Sequence, residues 1–354
     1  MLKTNDFYTL IFVQMNSLKK IFSILLCSSV LLQSCDNKKE DSNAGEASTP
    51  SNTVAQAISL PNFNADTAFS YIEKQLSFGF RTPGSAGQKN CAQWMEQQLK
   101  NFCDTVYRQS VTVKGGDGKS LPCINLIGSI NPNATRRILL LTHWDSRPWA
   151  DEDDSAQTKP ILAADDAASG VGVLIELARQ IQSQKIPSDL GVDIFFTDVE
   201  DYGKTEWGED SYCLGTQYWA RNPHVPGYRA EFGILLDMVG AKGATFPMEM
   251  ISAQYAGDVQ RNVYQAAQRA GFSSYFPFVQ GGGINDDHKY VNELIGIPTI
   301  DIININANSN EVFKAHWHTH DDNISVIDKG TLKAVGQTLL QVIYEASAQQ
   351  KNPA

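Results

Sequence analysis

Short apolar runs alternate with longer amphipathic stretches along most of the chain, which is the pattern of an α/β protein. The apolar runs predict β-strands at Cys123–Ile130, Arg137–Thr142, Val192–Thr197, Gly233–Met238 and Ile297–Ile303. Stretches with helical periodicity predict helices at Ser85–Phe102, Ser169–Gln182, Gly257–Ala270 and Gly330–Ser347. Runs such as Ile138–Leu141 are continuously apolar, which indicates that helices cover both faces of the sheet. We therefore expect one domain over residues 59–350, with a mixed, mostly parallel central sheet flanked by helices.

The first part of the chain has the features of an export signal. Two lysines precede the apolar run Ile21–Leu32, and the small residue Ser34 and then Cys35 follow it. A basic segment, a short apolar segment and a small residue before the cleavage site are typical of a secretory signal peptide. Because Leu32–Cys35 resembles a bacterial lipobox, we expect residues 1–34 to be removed and Cys35 to be lipidated. An ordinary signal peptide with a chance cysteine is the alternative.

A polar segment follows the signal and is expected to act as a tether. Residues 35–58 are rich in Asn, Ser, Lys, Glu and Asp and show no apolar period. Further along the chain, no apolar run approaches the roughly 20 residues needed to span a bilayer. We therefore expect an exported protein of the cell envelope that contacts the membrane only through its lipid anchor.

Composition and charge narrow the possible functions. The chain has 354 residues, of which 42% are hydrophobic, enough to bury a substantial core. Its 39 acidic and 29 basic residues give a net charge of -10, which argues against nucleic acid as a partner because phosphate neutralisation requires Lys and Arg. Six cysteines are too few for a disulfide-built scaffold. Export would place four of them in an oxidising compartment, where three pairings are possible, but structural thiols are the simpler interpretation of Cys91, Cys103, Cys123 and Cys213.

Acidic residues and histidines collect just after the predicted strands and in one late loop. They are His143, Asp145, Asp165, Asp166, Asp198, Glu200, Asp201, Asp237, His316, His318 and His320. Ligands of open α/β sheets bind beyond the carboxyl ends of the strands, so these side chains are expected to lie close together. Imidazole and carboxylate form the ligand set of a catalytic zinc site, which has three protein ligands and one open position. The simpler interpretation of a single Asp after a strand is a turn residue or a helix N-cap.

Several of these motifs resemble the M28-type superfamily of zinc aminopeptidases. They are His143-x-Asp145, Asp166 before Ala-Ala-Ser-Gly, Glu200-Asp201-Tyr202-Gly203, Asp237 and His318-Thr319. Within the superfamily, the glutaminyl-peptide cyclotransferases are most similar, on three features: Trp317 directly before His318, Asp286-Asp287 before His288, and Phe313 four residues before Trp317. The segment Asp145–Asp151 is especially similar to the bacterial lipoprotein branch of that family. The resemblance extends from about Asn62 to Ala346.

The resemblance implies a role for each site residue. One zinc ion per chain would be bound by Asp166, Asp201 and His318, and the general acid and base would be Glu200. An acidic network beside the scissile amide would consist of Asp237 and Asp286. The aromatic walls of the substrate pocket would be Trp317, Trp207 and Phe313.

Two positions depart from the animal cyclotransferases. Asp201 stands where they carry Glu, and because Asp is one methylene shorter, the backbone or the metal must shift to keep the zinc–oxygen distance. Asp301 stands where they carry His. We expect these differences to alter the surroundings of the metal and not the reaction.

The resemblance implies a zinc-dependent acyltransferase whose substrates are peptides and exported proteins that begin with glutamine. Their N-terminal glutamine would be converted to pyroglutamate, with release of ammonia. Two alternatives remain at this point. One is a zinc aminopeptidase, because His143 and Asp237 could complete a second metal site that shares Asp166. The other is a binding module without activity, although the ligands that such a protein is expected to lose are present here.

Overall fold

A single sheet runs through the part of the chain that the structure describes. The computed structural model describes residues 59–348 except 308 and 310. The strands are β1 (Thr105–Lys114), β2 (Ser120–Ile130), β3 (Arg136–His143), β4 (Leu190–Thr197), β5 (Phe232–Asp237) and β6 (Thr299–Ile303), and their order across the sheet is β1-β2-β4-β3-β5-β6. β2 pairs antiparallel with β1 and β4, whereas β3 pairs parallel with β4 and β5, and β5 pairs parallel with β6. The expected mixed, mostly parallel sheet is confirmed.

The helices lie between the strands and at both ends of the domain. They are α1 (Ala65–Leu76), α2 (Ala86–Phe102), α3 (Gly170–Ser183), α4 (Leu214–Arg221), α5 (Met250–Arg269), α6 (Asp287–Tyr290) and α7 (Lys329–Ala348). Shorter helical turns occur at Ala164–Ser169, Thr205–Trp207, Glu209–Ser211, Val291–Ile295 and Ile324–Val326. Side-chain caps fix the start of the first two helices, since Asn64 accepts from the amide of Thr67 and Ser85 from that of Gln88.

Apolar side chains cover both faces of the central strands. Strand β4 is buried along its whole length, and β3 is buried after its first residue. Ile138 and Leu140 belong to a large core that also includes residues of α1, α2, α3, α5 and α7. Leu139 and Leu141 point the other way, into a smaller core around Trp219 of α4. The continuous apolar run of β3 therefore reflects burial on two sides, as the sequence indicates.

Five elements named below differ from the sequence prediction. Strand β1 is absent from the prediction, as are helices α1 and α4. Helix α5 begins at Met250 rather than Gly257, because two helical stretches join across a kink at Ala256, where φ is -141°. The last strand begins at Thr299 rather than Ile297, since Gly296 adopts the left-handed conformation that ends the preceding turn.

The predictions for the N-terminal region concern residues outside those that the structure describes. These are the signal peptide (residues 1–34), the lipidation site Cys35 and the tether (residues 35–58), all of which stay predictions. Among the helices that the structure does describe, none is both long enough and apolar enough to cross a membrane.

Candidate active site

A small acidic cavity opens at the carboxyl ends of the parallel strands. Asp237 is the last residue of β5, Ile303 is the last residue of β6, and Glu200 and Asp201 follow β4. The cavity is lined by Asp166, Glu200, Asp201, Tyr212, Asp237, Ile284, Asn285, Asp286, Ile303, Phe313, Trp317 and His318. This is the edge of an open α/β sheet at which ligands bind. The structure thus brings together eight of the nine residues to which the resemblance gives a zinc, catalytic or substrate role.

Three buried side chains at the cavity floor have the chemistry of a metal site. One ligand atom from each of Asp166, Asp201 and His318 lies within 4.8 Å of the other two. His318 Nε2 is 3.4 Å from Asp201 Oδ1 and 3.8 Å from Asp166 Oδ2. Asp201 Oδ2 is buried and makes no hydrogen bond to the protein. The site offers one imidazole nitrogen and two carboxylates, and one buried carboxylate oxygen has no hydrogen-bond partner. These donors fit a zinc ion that keeps one coordination position open.

Buried aspartates hold the two loops that carry these groups. The carboxylate of Asp145 accepts hydrogen bonds from the amides of Glu200 and Asp201, both at 3.1 Å. Asp322 accepts from the amides of residues 165–166 at 2.7 and 3.1 Å. Both aspartates are fully buried. Each loop is therefore fixed by charge-assisted hydrogen bonds to its backbone rather than by its own side chains alone.

The backbone around the cavity adopts conformations that are rare outside glycine. Val199, Cys213, Met238 and His318 have φ values of 56°, 55°, 49° and 55°. The peptide bond after Asp166 is cis. Left-handed conformations of such residues cost roughly 1–2 kcal/mol each and collect at functional sites, where the surrounding structure enforces them. Their position next to the ligand-bearing loops supports a functional role for this cavity.

Glu200 lies at the cavity with its carboxyl surrounded by polar groups. Burial raises the pKa of Glu200 well above its ordinary value, nearby His143 opposes that rise, and Asp201 and Asp286 add to it. Burial also raises the pKa of the Cys213 thiol, which therefore stays protonated. The thiol donates to Glu200 Oε1 at 3.2 Å. A carboxyl group whose pKa is raised in this way is suited to both accepting and donating a proton.

Several buried carboxyl groups near Glu200 form an acidic network. Burial raises the pKa of Asp237 to about 7, with Asp166 adding to the rise. Burial likewise raises the pKa of Asp286 to about 7, with Asp237 adding to it. His143 Nε2 lies 2.9 Å from Asp166 Oδ1 and 3.3 Å from Asp237 Oδ1. Because several buried carboxyls share this region, they hold protons at a pH where isolated ones are ionised.

Stacked aromatic rings form one wall of the cavity. Trp317 stacks on His318 with ring centroids 3.6 Å apart and on Phe313 at 4.1 Å. Trp207, which the resemblance assigns to the same wall, does not line the cavity. Its ring packs at a right angle to Trp149 at 5.8 Å and lies against Gly116, where a Cβ would come within 2.6 Å of the indole side chain. Trp207 therefore packs next to the turn after β1 rather than among the residues that line the cavity.

Several polar residues near the cavity were given no role by the sequence. Cys213 contacts Glu200, Arg147 contacts the candidate metal ligand Asp201, and Asp151 contacts the candidate ligand His318. The only sequence signal for Arg147 and Asp151 is their place in the charged segment that follows a strand end. No signal distinguishes Cys213 from the other cysteines. All four described cysteines are unpaired, so none of the three possible pairings is formed.

Comparison with known proteins identifies the family. Residues 125–343 match peptidase family M28. The structure is similar to a Zn-dependent exopeptidase from Parabacteroides distasonis, with 47% identity, a TM-score of 0.79 and coverage of 81% of this chain and 99% of that chain. It is equally similar to a Porphyromonas gingivalis glutaminyl cyclase, at 46% identity, a TM-score of 0.78 and the same coverage of both chains. A glutaminyl-peptide cyclotransferase of Gloydius blomhoffii is 26% identical over 250 residues, which make up 62% of this chain and 65% of that protein. The chain belongs to peptidase family M28.

Proposed function

We propose that the protein is a glutaminyl-peptide cyclotransferase, which converts N-terminal glutamine to pyroglutamate and releases ammonia. The observation that carries this proposal is that Glu200 lines one cavity together with the candidate metal ligands, the carboxyl groups of Asp237 and Asp286, and the aromatic wall. The Porphyromonas and Gloydius relatives are named for this activity.

The metal site is proposed to hold one zinc ion per chain. Its ligands would be Asp166, Asp201 and His318, whose donor atoms fit zinc as described above. When bound, zinc would polarise the γ-amide carbonyl of the substrate glutamine as a Lewis acid. The acyltransferase is thus proposed to be zinc-dependent.

Glu200 is proposed to move the proton that the reaction transfers. The α-amine of the glutamine attacks the γ-amide carbon of the same residue, so the pocket has only to hold that side chain folded back. A carbon–nitrogen bond forms to the amine and the bond to the amide nitrogen breaks. Glu200 accepts the proton from the amine and returns it to the departing ammonia. Its raised pKa suits a group that must both accept and donate.

The remaining cavity residues are proposed to orient the substrate and to exclude water. Asp237 and Asp286 can accept hydrogen bonds from the amide nitrogen, and because burial raises the pKa of each to about 7, each can also hold a proton near neutral pH. Trp317 and Phe313 present apolar faces beside His318. Water excluded by these rings cannot compete with the amine as a nucleophile. The ring closure is therefore favoured over hydrolysis.

We also propose the location in which the enzyme works. Residues 1–34 would direct export, Cys35 would carry the lipid, residues 35–58 would form the tether, and residues 59–350 would be the catalytic domain. The support is the sequence pattern of the N-terminal region. The substrates would then be peptides and exported proteins with N-terminal glutamine that reach the cell envelope.

A zinc aminopeptidase is the second candidate, on one specific observation. His143, Asp166 and Asp237 form another group of possible ligands that shares Asp166 with the first. However, His143 Nε2 lies 2.9 Å from Asp166 Oδ1 and 3.3 Å from Asp237 Oδ1, so it can pair with these carboxylates directly. Elemental analysis of the purified protein should give about one zinc per chain. Two tightly bound zinc ions, one of them lost in His143→Ala, would favour the peptidase.

The proposed function is tested by ammonia release from a dipeptide amide that begins with glutamine. The zinc-loaded protein should release ammonia and no free amino acid. The matched control is the same compound with an acetylated α-amine, which cannot attack and should release no ammonia. Release of free glutamine instead of ammonia would point to the aminopeptidase.

A further inference from the structure

One buried guanidinium connects two of the three proposed zinc ligands. Arg147 is only 1% exposed and follows the end of β3. Its Nη1 donates to Asp201 Oδ1 at 2.7 Å and to the carbonyl oxygens of Asp201 and Gly203 at 3.1 and 3.2 Å. Its Nε and Nη2 donate to the two carboxylate oxygens of Asp151, at 2.7 and 2.5 Å. The planar fork of donors is thus shared between two carboxylates.

The first of these carboxylates is a proposed ligand itself. Nη1 of Arg147 engages Oδ1 of Asp201, while Oδ2 remains buried without a hydrogen bond to the protein. This arrangement decides which oxygen is left for a metal. The side chain of Asp has little reach, so its orientation also depends on the backbone. Because Nη1 binds the carbonyl oxygens of Asp201 and Gly203 as well, it fixes side chain and backbone together.

The second carboxylate orients the histidine ligand. Asp151 Oδ1 lies 3.3 Å from His318 Nδ1, on the side of the ring away from the other ligands. The amide of Glu152 donates to the carbonyl oxygen of His318 at 3.3 Å. A carboxylate at one ring nitrogen fixes the tautomer and the direction of the other nitrogen. Arg147 holds Asp151 in place by the bidentate pair.

We infer that Arg147 is a positioning residue of the metal site, which fixes Asp201 directly and His318 through Asp151. The inference rests on the proposed zinc site. It goes beyond that site because it assigns a role to a residue that is not itself a zinc ligand. Arginine is required because five donors in one plane serve both carboxylates and two carbonyl oxygens. Lysine keeps the charge but offers three donors from a single point.

The inference is tested by the zinc affinity of the whole protein, measured by competition with a chelator. Arg147→Lys should bind zinc about 10- to 100-fold more weakly than the wild type. The matched control is Arg137→Lys. Arg137 is 9% exposed and donates to Asp193 Oδ1 and to the carbonyl oxygen of Asn131, both at 2.8 Å, but it lies at the opposite end of β3. The zinc affinity of the Arg137→Lys protein should equal that of the wild type.

A second variant covers the case in which Arg147→Lys does not fold. The side chain of Asp151 is 34% exposed, so Asp151→Asn can be accommodated at the surface. It should weaken zinc binding by about 10-fold. The double variant should lose less affinity than the sum of the two single losses, because both substitutions interrupt the same chain of contacts.

The outcomes separate the inference from the proposed function. Wild-type zinc affinity in Asp151→Asn and in folded Arg147→Lys would overturn the positioning role while leaving the zinc site in place. An equal loss in Arg137→Lys would also overturn it, since the effect would then follow from general destabilisation. A wild-type protein that binds no zinc would instead contradict the proposed metal site.

Discussion

Glu200 carries the proton transfer in the proposed reaction, so its side chain gives the first test at the scale of single residues. Glu200→Gln keeps the size and hydrogen bonding of the side chain but removes the proton acceptor. Zinc should therefore stay bound, while turnover falls by about 100-fold or more. The measurement is metal content together with turnover on a glutamine-initiated peptide. Near-normal turnover in the metal-loaded variant would contradict the assignment.

Cys213 contacts the same carboxyl group, and we expect its substitution to have a smaller effect on turnover. Its protonated thiol donates to Glu200 Oε1, so Cys213→Ala should lower turnover by roughly 3- to 10-fold, the effect of one lost hydrogen bond. Cys213→Ser keeps a donor and should restore part of the loss. Both replacements face the same left-handed backbone conformation, so strain does not distinguish them. Equal turnover in all three proteins would show that the thiol contact has no influence on Glu200.

The sequence predicts which residues come together where they belong to a motif at a strand end. Asp166, Asp201 and His318 lie more than 30 positions apart in the chain, yet each follows from a local pattern and all three meet in the structure. The sequence does not indicate that Trp207 packs apart from the residues that line the cavity, because its position depends on the turn that packs against Gly116. The contact between Cys213 and Glu200 depends on a backbone turn that no periodicity reveals.

At the scale of elements, the close packing of the start of helix α3 against strands β3 and β5 can be tested by substitution. A Cβ on Gly170 would lie 2.2 Å from Thr142 Oγ1 and 3.1 Å from the carbonyl oxygen of Leu236. Gly170→Ala should therefore push α3 from β3 and β5 and lower the free energy of unfolding by roughly 1–3 kcal/mol. Urea denaturation of the zinc-loaded protein measures this change.

A glycine in another helix is the control for that substitution. The nearest atom to a Cβ on Gly257 of α5 would be Arg261 Nη1 at 3.4 Å, on a flexible side chain. Gly257→Ala should leave the free energy of unfolding unchanged or raise it by up to about 1 kcal/mol. If both variants unfold at the same urea concentration, the close packing of Gly170 does not constrain the position of α3.

The elements themselves were predictable to the extent that they are buried. Strands β2 to β6 follow from apolar runs, because burial on two faces leaves a continuous hydrophobic pattern. Strand β1 is an edge strand in which polar residues such as Arg108 and Gln109 interrupt the apolar ones, so it lacks the continuous apolar run of the central strands. Only its pairing with β2 makes it a strand.

At the scale of the whole molecule, buried carboxyl groups set the dependence of stability on pH. Burial raises the pKa of Asp237 and Asp286 to about 7 and that of Asp287 to about 8. The same carboxyls in the unfolded chain release their protons near pH 4. Because the folded state then holds more protons, its stability should fall as the pH rises from about 5 to 8.

Thermal unfolding of the metal-free protein measures this trend. The melting temperature should decrease steadily across that pH range, and added zinc should raise it at each pH because the ion binds the folded state. A melting temperature that increases between pH 5 and 8 would contradict the assignment of protonated buried carboxyls.

The central claim is that the cavity closes a ring on an N-terminal glutamine rather than cutting a peptide bond. The most direct measurement is the intact mass of a glutamine-initiated peptide after incubation with the zinc-loaded protein in water enriched in ¹⁸O. Cyclisation removes one ammonia, leaves every peptide bond intact and incorporates no oxygen from the solvent. The account predicts that product alone. A shortened peptide, or a full-length peptide that has gained ¹⁸O at its first residue, would mean that water is the nucleophile and would contradict it.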